Sequence, residues 1–490
     1  MRAKRTTSRF GRMTPAILGK LRAIVGERFV LHGNPEELEP YSHDEVKEKE
    51  YHAMPDVVVR PRTAAEIARI MKLANAERIP VTPRGGGSGL SGGAIPVHGG
   101  IVVSVDRMNR ILEIDVENMV AVAEPGVVTN DLDAAAKEHG LFFPGYPMSL
   151  QSCFISGNVA ENAGGGKAVK YGVTGRYIIG LEMVTPQGEI AEMGGKLLKN
   201  VTGYDLIGLM VGSEGTLGLF TKVLVRLVPR PTRVVDLLVM FKDVATAIRT
   251  VSAIMTQARV IPTAVEFMDR PSMRAACDYL NDPLPVGDAE ATLLIELDGN
   301  SKAQLEEEYE AVGELCLKNG ASEVYVADNY TTQERIWSIR RNVAEGLMVV
   351  APYHSMEDLC VPPASITKLF PEIERISRKY DTPIPCIAHA GDGNVHANVL
   401  KNPAHPLARW NRILPALLRD LYVATRKLGG VISGEHGIGS KKLEYLGLSL
   451  DPVSLDLMRR IKQALDPNGI LNPGKIFETG RPKARGTKRR

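Results

Sequence analysis

The sequence predicts an α+β protein in two main parts: a first half opened by a β-α-β unit, and a second half formed by a ferredoxin-like antiparallel sheet with helices towards its C-terminal end. Three observations lead there. A helix-capping box separates two short β-branched runs near residue 60, glycine is dense over 83–93 and 144–175, and two strand–helix–strand halves follow in series after "PRPT" at 229–232.

In chain order, Thr14-Pro15 with Ile17, Leu18, Leu21, Ile24 and Val25 reads as a capped amphipathic helix. Strand "DVVVRP", a helix opened by Thr63-Ala-Ala-Glu66 and strand "IPVTP" make the β-α-β unit. Short strands "IVVSV" and "MVAVAEP" come next, then a helix over "NDLDAAAKEHG" stopped by Gly140, then strands around "IIGLEMVTPQGEI" and "LGLFTKVLVRLVP". Beyond "PRPT", "VVDLLVMF", a helix from Asp243 to about Ala258 and "AVEFMD" form one half. "TLLIELDG", a helix from Ser301 to about Lys318 and "EVYVAD" form the other. Helices follow, interrupted by one strand from Ile387 to Leu400. The expected divisions are a basic tail over 1–13, a first domain over 14–230, a second over 231–464, a closing segment over 465–480 and a basic tail over 481–490.

With 490 residues, 44% of them apolar, the chain has enough material for two or more cores. A formal charge of +3 gives no case for a nucleic-acid partner, and the basic excess sits in the two tails, read as solvated or as touching an anionic surface. No apolar run approaches the roughly 18 residues of a membrane span, and the start lacks a signal-peptide core. The five cysteines are scattered with no C-x-x-C, which argues against an iron-sulfur cluster or zinc ribbon and for a reducing compartment. The expected location is cytoplasmic, with peripheral contact at the inner membrane face as the variant reading.

"PRGGGSGLSGG", Pro83 to Gly93, contains a literal G-x-G-x-x-G. A Rossmann loop needs a helix starting at its third glycine, and "GAIPVHGG" after Gly92 cannot start one. A loop whose backbone N–H groups approach phosphates without a helix fits better. "SLQSCFISGNVAENAGGGKAVKYG", Ser149 to Gly172, has the same small-residue character, and two such loops suit a long diphosphate ligand.

Together with "LKNVTGYDL", "VGSEGTLG" and "LNPGK", these stretches resemble the FAD domain of the vanillyl-alcohol oxidase and p-cresol methylhydroxylase superfamily, and within it the FAD-linked glycolate oxidase, D-lactate and D-2-hydroxyglutarate dehydrogenase family. The likeness runs from about Tyr41 to Phe477. It implies a two-part FAD-binding domain over 14–230, a substrate or cap domain over 231–464 and a segment over 465–480 returning to the FAD domain. It also implies pyrophosphate contacts from the backbone around Arg84, Gly85, Gly86, Gly87, Ser88, Gly89, Ser156 and Gly157. Pro144, Ser149, Asn158, Asn162, Gly165, Glu214 and Asn472 are implied near the rest of the cofactor. The first loop carries no histidine, so FAD is expected to be held non-covalently.

In "HAGDGNVHANVL" the Gly391-Asp392-Gly393 turn can bring His389 back beside His396, and strand period puts His396 and Asn398 on one face. "SGEHGIG" offers Glu435 and His436. Two imidazoles and a carboxylate make an open-sided site suited first to zinc, with manganese or iron as alternatives. The resemblance assigns His389, His396 and Glu435 as metal ligands, Asn398 as a substrate contact and Arg340 as the clamp on a substrate carboxylate, with Arg341 its solvated neighbour. His436 fits the general base.

The resulting expectation is oxidation of a small (D)-2-hydroxy acid, D-lactate or glycolate, to the 2-keto acid, with electrons leaving to electron-transferring flavoprotein or an iron-sulfur subunit. Glu357 and Asp358, if facing the pocket, would disfavour a second substrate carboxylate. The same residues admit a metal-dependent hydrolase or a non-catalytic flavin-binding subunit, and the assembly admits a homodimer.

Overall fold

Thr14 and Thr63 behave as the caps their spacing predicts: each side-chain oxygen accepts a backbone N–H at the start of helices Pro15–Val25 and Ala64–Glu77. The capping box differs in one respect, since Glu66 Oε2 accepts from Arg62 N rather than from Thr63. These positions come from a computed structural model that describes residues 9–46, 48, 51–284 and 286–478. Residues 1–8 of the first basic tail and the whole of the second, 481–490, lie outside the described residues.

The first sheet comprises β1 (Val30–Leu31), β2 (Val57–Val59), β3 (Val81–Arg84) and β4 (Ile101–Ser104) in the order β1-β2-β4-β3. The two strands of the β-α-β unit are therefore not neighbours, because β4 inserts between them and pairs parallel with both. Leu471 bridges Val81, which ties the C-terminal segment to this sheet.

A second sheet holds β5 (Ile111–Asp115), β6 (Val120–Ala123), β8 (Ile178–Val184), β9 (Ile190–Gly194) and β10 (Leu219–Arg226), wholly antiparallel; β7 (Leu141–Phe142) pairs separately with β11 (Val228–Pro229). The second glycine-rich segment is not loop throughout. It contains the seven-residue helix Ile155–Glu161, because "ISGNVAE" places apolar Ile155 and Val159 four apart against the core.

The remaining strands form one seven-stranded antiparallel sheet, β15-β12-β14-β13-β17-β18-β16. Its first four members are β12 (Arg233–Phe241), β13 (Ala264–Asp269), β14 (Ala291–Gly299) and β15 (Ala321–Ala327), the two strand–helix–strand halves in ferredoxin-like order. β16 (His354–Cys360), β17 (Cys386–His389) and β18 (Asn394–Leu400) extend it. The single strand expected over 387–400 is a hairpin, folded back at Gly393 with φ +95°.

Alternation splits this sheet into two faces. Leu237, Val239, Phe241, Phe267 and Ile295 pack under helices Val244–Ala253, Lys302–Lys318 and Ile366–Tyr380. The opposite face carries Leu238, Met240 and Leu294 under helices Arg270–Leu280 and Tyr330–Arg341, and it also carries the carboxylates Asp236, Glu266 and Glu296. Among the described residues no helix is long and apolar enough to cross a membrane.

Candidate active site

A cleft of about 260 Å³ opens beside the glycine loop, close to the lower end of the roughly 300–1,000 Å³ of small-molecule sites. It is lined by Gly85 to Gly89 with Leu90, by Ser149, Gly157, Asn158 and Glu161 from the second glycine-rich stretch, and by Glu435 with His436. The residues after Gly92 form turns and no helix, so the literal Rossmann fingerprint has no helix N-terminus to offer. Glycine is required in the loop: Gly87 has φ +72°, and a Cβ on Gly86 would lie 2.5 Å from Ser152 O. Among the described residues no protein acceptor takes the backbone N–H groups of Gly85 to Gly89. Five unspent donors beside a long cleft fit a diphosphate-bearing cofactor.

Other expected cofactor residues stand differently. Arg84 ends β3 behind the wall, its guanidinium donating to Pro40 O and His43 O at 2.9 and 2.7 Å. The amides of Ser156 and Gly157 already donate to Pro125 O and Phe154 O, so they are not free phosphate donors. Pro144 is buried off the cleft, and Gly165 is there for packing, since its Cβ would lie 2.6 Å from Tyr146 O. Asn162, at φ +53°, ends the helix Ile155–Glu161 and accepts from Gly175 N. Asn472 braces the wall from behind through Gly93 O and Glu214 O at 3.0 and 2.8 Å. Glu214 lines the cleft, and its two oxygens accept Ile438 N and Gly439 N.

The histidine cluster meets the cleft at Glu435 and His436. Register pairs His389 with Glu266 across β17 and β13, and His389 Nδ1 meets Glu266 Oε1 at 2.6 Å. The hairpin sets the His389 and His396 rings 5.2 Å apart, and Glu435 Oε1 lies 3.5 and 3.3 Å from their Nε2 atoms. Two ligand atoms each about 2.1 Å from one tetrahedral centre are ~3.4 Å apart; the two distances to Glu435 match that spacing, and all three ligand atoms lie within 4.8 Å of one another. The carboxylate–imidazole pair Glu266–His389 is the outer support such sites use. Burial alone would lower His389, but Glu266 and Glu435 outweigh it and hold its pKa well above the ordinary value. Burial would raise Glu435, yet His389, His396 and His436 hold it well below the usual range. His396 goes the other way: burial dominates and lowers it.

His436 Nε2 lies 3.5 Å from Glu435 Oε1, its ring stacks on His396, and it faces the cleft. Arg340 is buried at 5% exposure; Nη2 forms an ion pair with Glu266 Oε2 at 2.6 Å, and neither Nε nor Nη2 has an aligned hydrogen-bond partner. Arg341 pairs outward with Glu334. Asn398 is buried, and its Oδ1 has no partner.

Glu357 and Asp358 correct the sequence reading, because neither faces the cleft or solvent. Asp358 Oδ2 accepts the backbone N–H groups of Gly434, Glu435 and His436 together with Ser433 Oγ, which fixes the loop that presents Glu435 and His436. Burial would raise this carboxyl, but His436 and Lys442 lead the groups that hold it below the ordinary range. Glu357 is bonded to Ser355, Tyr422 and Lys441. Both are β16 residues whose alternation points them to opposite sides, and both sides are buried. Neither acid is therefore placed to repel a second substrate carboxylate. Glu266 and Glu161 are site residues that the sequence analysis does not name, and Asp358 is one it names for another role.

The arrangement of sheets and helices is one shared with p-cresol methylhydroxylase. A substrate-bound p-cresol methylhydroxylase superposes with a TM-score of 0.77 at 21% identity, over 94% of this chain and 96% of that one, which speaks to the fold alone. Residues 55–194 match the family described as FAD binding domain, and residues 230–476 match FAD linked oxidases, C-terminal domain. The chain belongs to the FAD-linked oxidases, and so is an oxidoreductase. A glycolate oxidase subunit of Bacillus subtilis (strain 168) is 40% identical over 437 residues, 89% of this chain and 92% of that protein. A D-lactate dehydrogenase of Anaerostipes hadrus is 36% identical over 472 residues, 95% of this chain and 98% of that protein.

Proposed function

We propose that the chain oxidises a small (D)-2-hydroxy acid, D-lactate or glycolate, to the 2-keto acid. The observation that carries this is the convergence of His389, His396 and Glu435 beside His436 at the glycine-lined cleft. FAD supplies the hydride acceptor when bound, and a divalent metal, zinc first, supplies a Lewis acid that makes the substrate hydroxyl more acidic. His389, His396 and Glu435 would hold the metal. His436 takes the hydroxyl proton at a ring nitrogen, which its place on the cleft wall next to Glu435 allows. Arg340 binds the substrate carboxylate through its unspent Nε, and Asn398 orients the substrate through Oδ1.

No histidine stands in Gly85 to Gly93, so the cofactor is held non-covalently by the glycine loop, Ser149, Asn158 and Glu214. The names of the two relatives support the substrate class. Electrons pass on to a partner protein, since C-x-x-C spacing for a cluster is absent from the sequence. The test is anaerobic bleaching of the visible flavin band by a panel of D- and L-2-hydroxy acids, 2-hydroxyglutarate included, before and after chelation. D-Lactate or glycolate bleaches the band, and chelation abolishes this while the flavin stays bound. Bleaching that survives complete metal removal overturns the metal step, and no response to any 2-hydroxy acid overturns the substrate class.

A further inference from the structure

One acid on the cleft wall takes no part in that scheme. Glu161 closes the helix Ile155–Glu161 and lines the cleft, and its Oε2 is buried with no hydrogen-bond partner. The chain makes room for it: a Cβ on Gly437, which has φ +86°, would lie 2.1 Å from Glu161 Oε2, and one on Gly93 would lie 3.0 Å from Oε1. Its nearest charged company is acidic. Glu214 Oε1 borders the same Gly437 position at 3.2 Å, and Glu214 is already an acceptor for two backbone N–H groups. Lys475, a cation of this region, is spent on Ile95 O at 2.6 Å. Burial, then Glu214 and Asp44, push the Glu161 carboxyl well above the ordinary range. A carboxyl so placed keeps its proton and is a donor in want of an acceptor.

Gly437 follows His436 directly, so Glu161 stands at the part of the cleft where hydrogen leaves the substrate, and the reacting ring of the cofactor must lie there. We propose that Glu161 Oε2 donates a hydrogen bond to the isoalloxazine of bound FAD, a role that rests on the cleft being the flavin site.

The test compares wild type, Glu161→Gln and Glu161→Ala. Apoprotein is titrated with FAD, the visible spectrum of each holoprotein is recorded, and apoprotein melting reports folding. The amide keeps a donor, so Glu161→Gln stays within about twofold of wild-type affinity, while Glu161→Ala binds FAD about tenfold more weakly with a shifted visible band. An alanine variant identical to wild type in both readouts overturns the proposal, as does a glutamine variant displaced as far as alanine.

Should the alanine variant fail to fold, the reduced-minus-oxidised infrared difference spectrum decides. Wild type shows a protonated-carboxyl band that Glu161→Gln lacks, and absence of that band in wild type overturns the donor role. A wild-type apoprotein that takes up no FAD defeats the cleft assignment itself, whereas normal uptake with an indifferent Glu161 defeats this inference alone.

Discussion

The glycine-lined cleft and the histidine cluster meet at Glu435 and His436, yet they are built from opposite materials. The cleft offers backbone: Gly85 to Gly89 carry unspent N–H groups and, Ser88 aside, no side chains. The cluster offers charge: imidazoles and carboxylates largely withdrawn from water, each held by another, as Glu266 holds His389 and Asp358 holds the Glu435-His436 loop. A backbone site tolerates no added bulk, and a buried charged site tolerates no missing partner. The two therefore fail in different ways under substitution.

The largest separation is expected at Glu435. Glu435→Gln keeps the size of the side chain and removes the charge on which His389, His396 and His436 converge. Turnover of the 2-hydroxy acid falls on the order of 10²–10³-fold, with the flavin spectrum and FAD content unchanged. Loss of FAD together with activity would show that the two regions are one structural unit rather than two.

Glu266→Gln sharpens the comparison one step further out. The amide can still face His389 Nδ1 but no longer carries the charge that also pairs with Arg340. Metal affinity or activity drops about 10–100-fold, the usual cost of an outer supporting carboxylate. Metal content measured by atomic emission beside kcat/KM separates loss of metal from loss of the Arg340 position.

How much of this was legible before folding follows from the same contrast. Caps and strand alternation are local, so Thr14, Thr63 and the two strand–helix–strand halves were readable. The glycine loop was readable as density, and the missing helix after Gly92 separated it from a Rossmann turn. Glu266 was not readable, because 123 residues separate it from His389 and only the β13–β17 register joins them. Asp358 was misread because period-2 alternation gives two faces but does not say that both are covered. Ser156 and Gly157 sit in a glycine-rich string that also has apolar residues at helical spacing, and packing against the core chose the helix.

The smallest expected effect tests the backbone side of the comparison with one cleft-lining glycine from each glycine-rich stretch. Gly87 has φ +72°, and an added Cβ would lie 2.2 Å from Arg84 Nη2, an atom held by Pro40 O. Gly87→Ala therefore costs stability, about 1–2 kcal/mol, and FAD affinity as well. Gly157 is helical, and its Cβ would meet no protein atom within 4 Å. Gly157→Ala therefore stabilises the apoprotein by about 0.5–1 kcal/mol while intruding on the cleft it lines. Melting of apoprotein and FAD titration should thus move together in Gly87→Ala and in opposite directions in Gly157→Ala. A Gly157→Ala protein that melts higher and binds FAD as tightly as wild type would remove that stretch from the flavin site and leave the Gly85–Gly89 loop as its only backbone face.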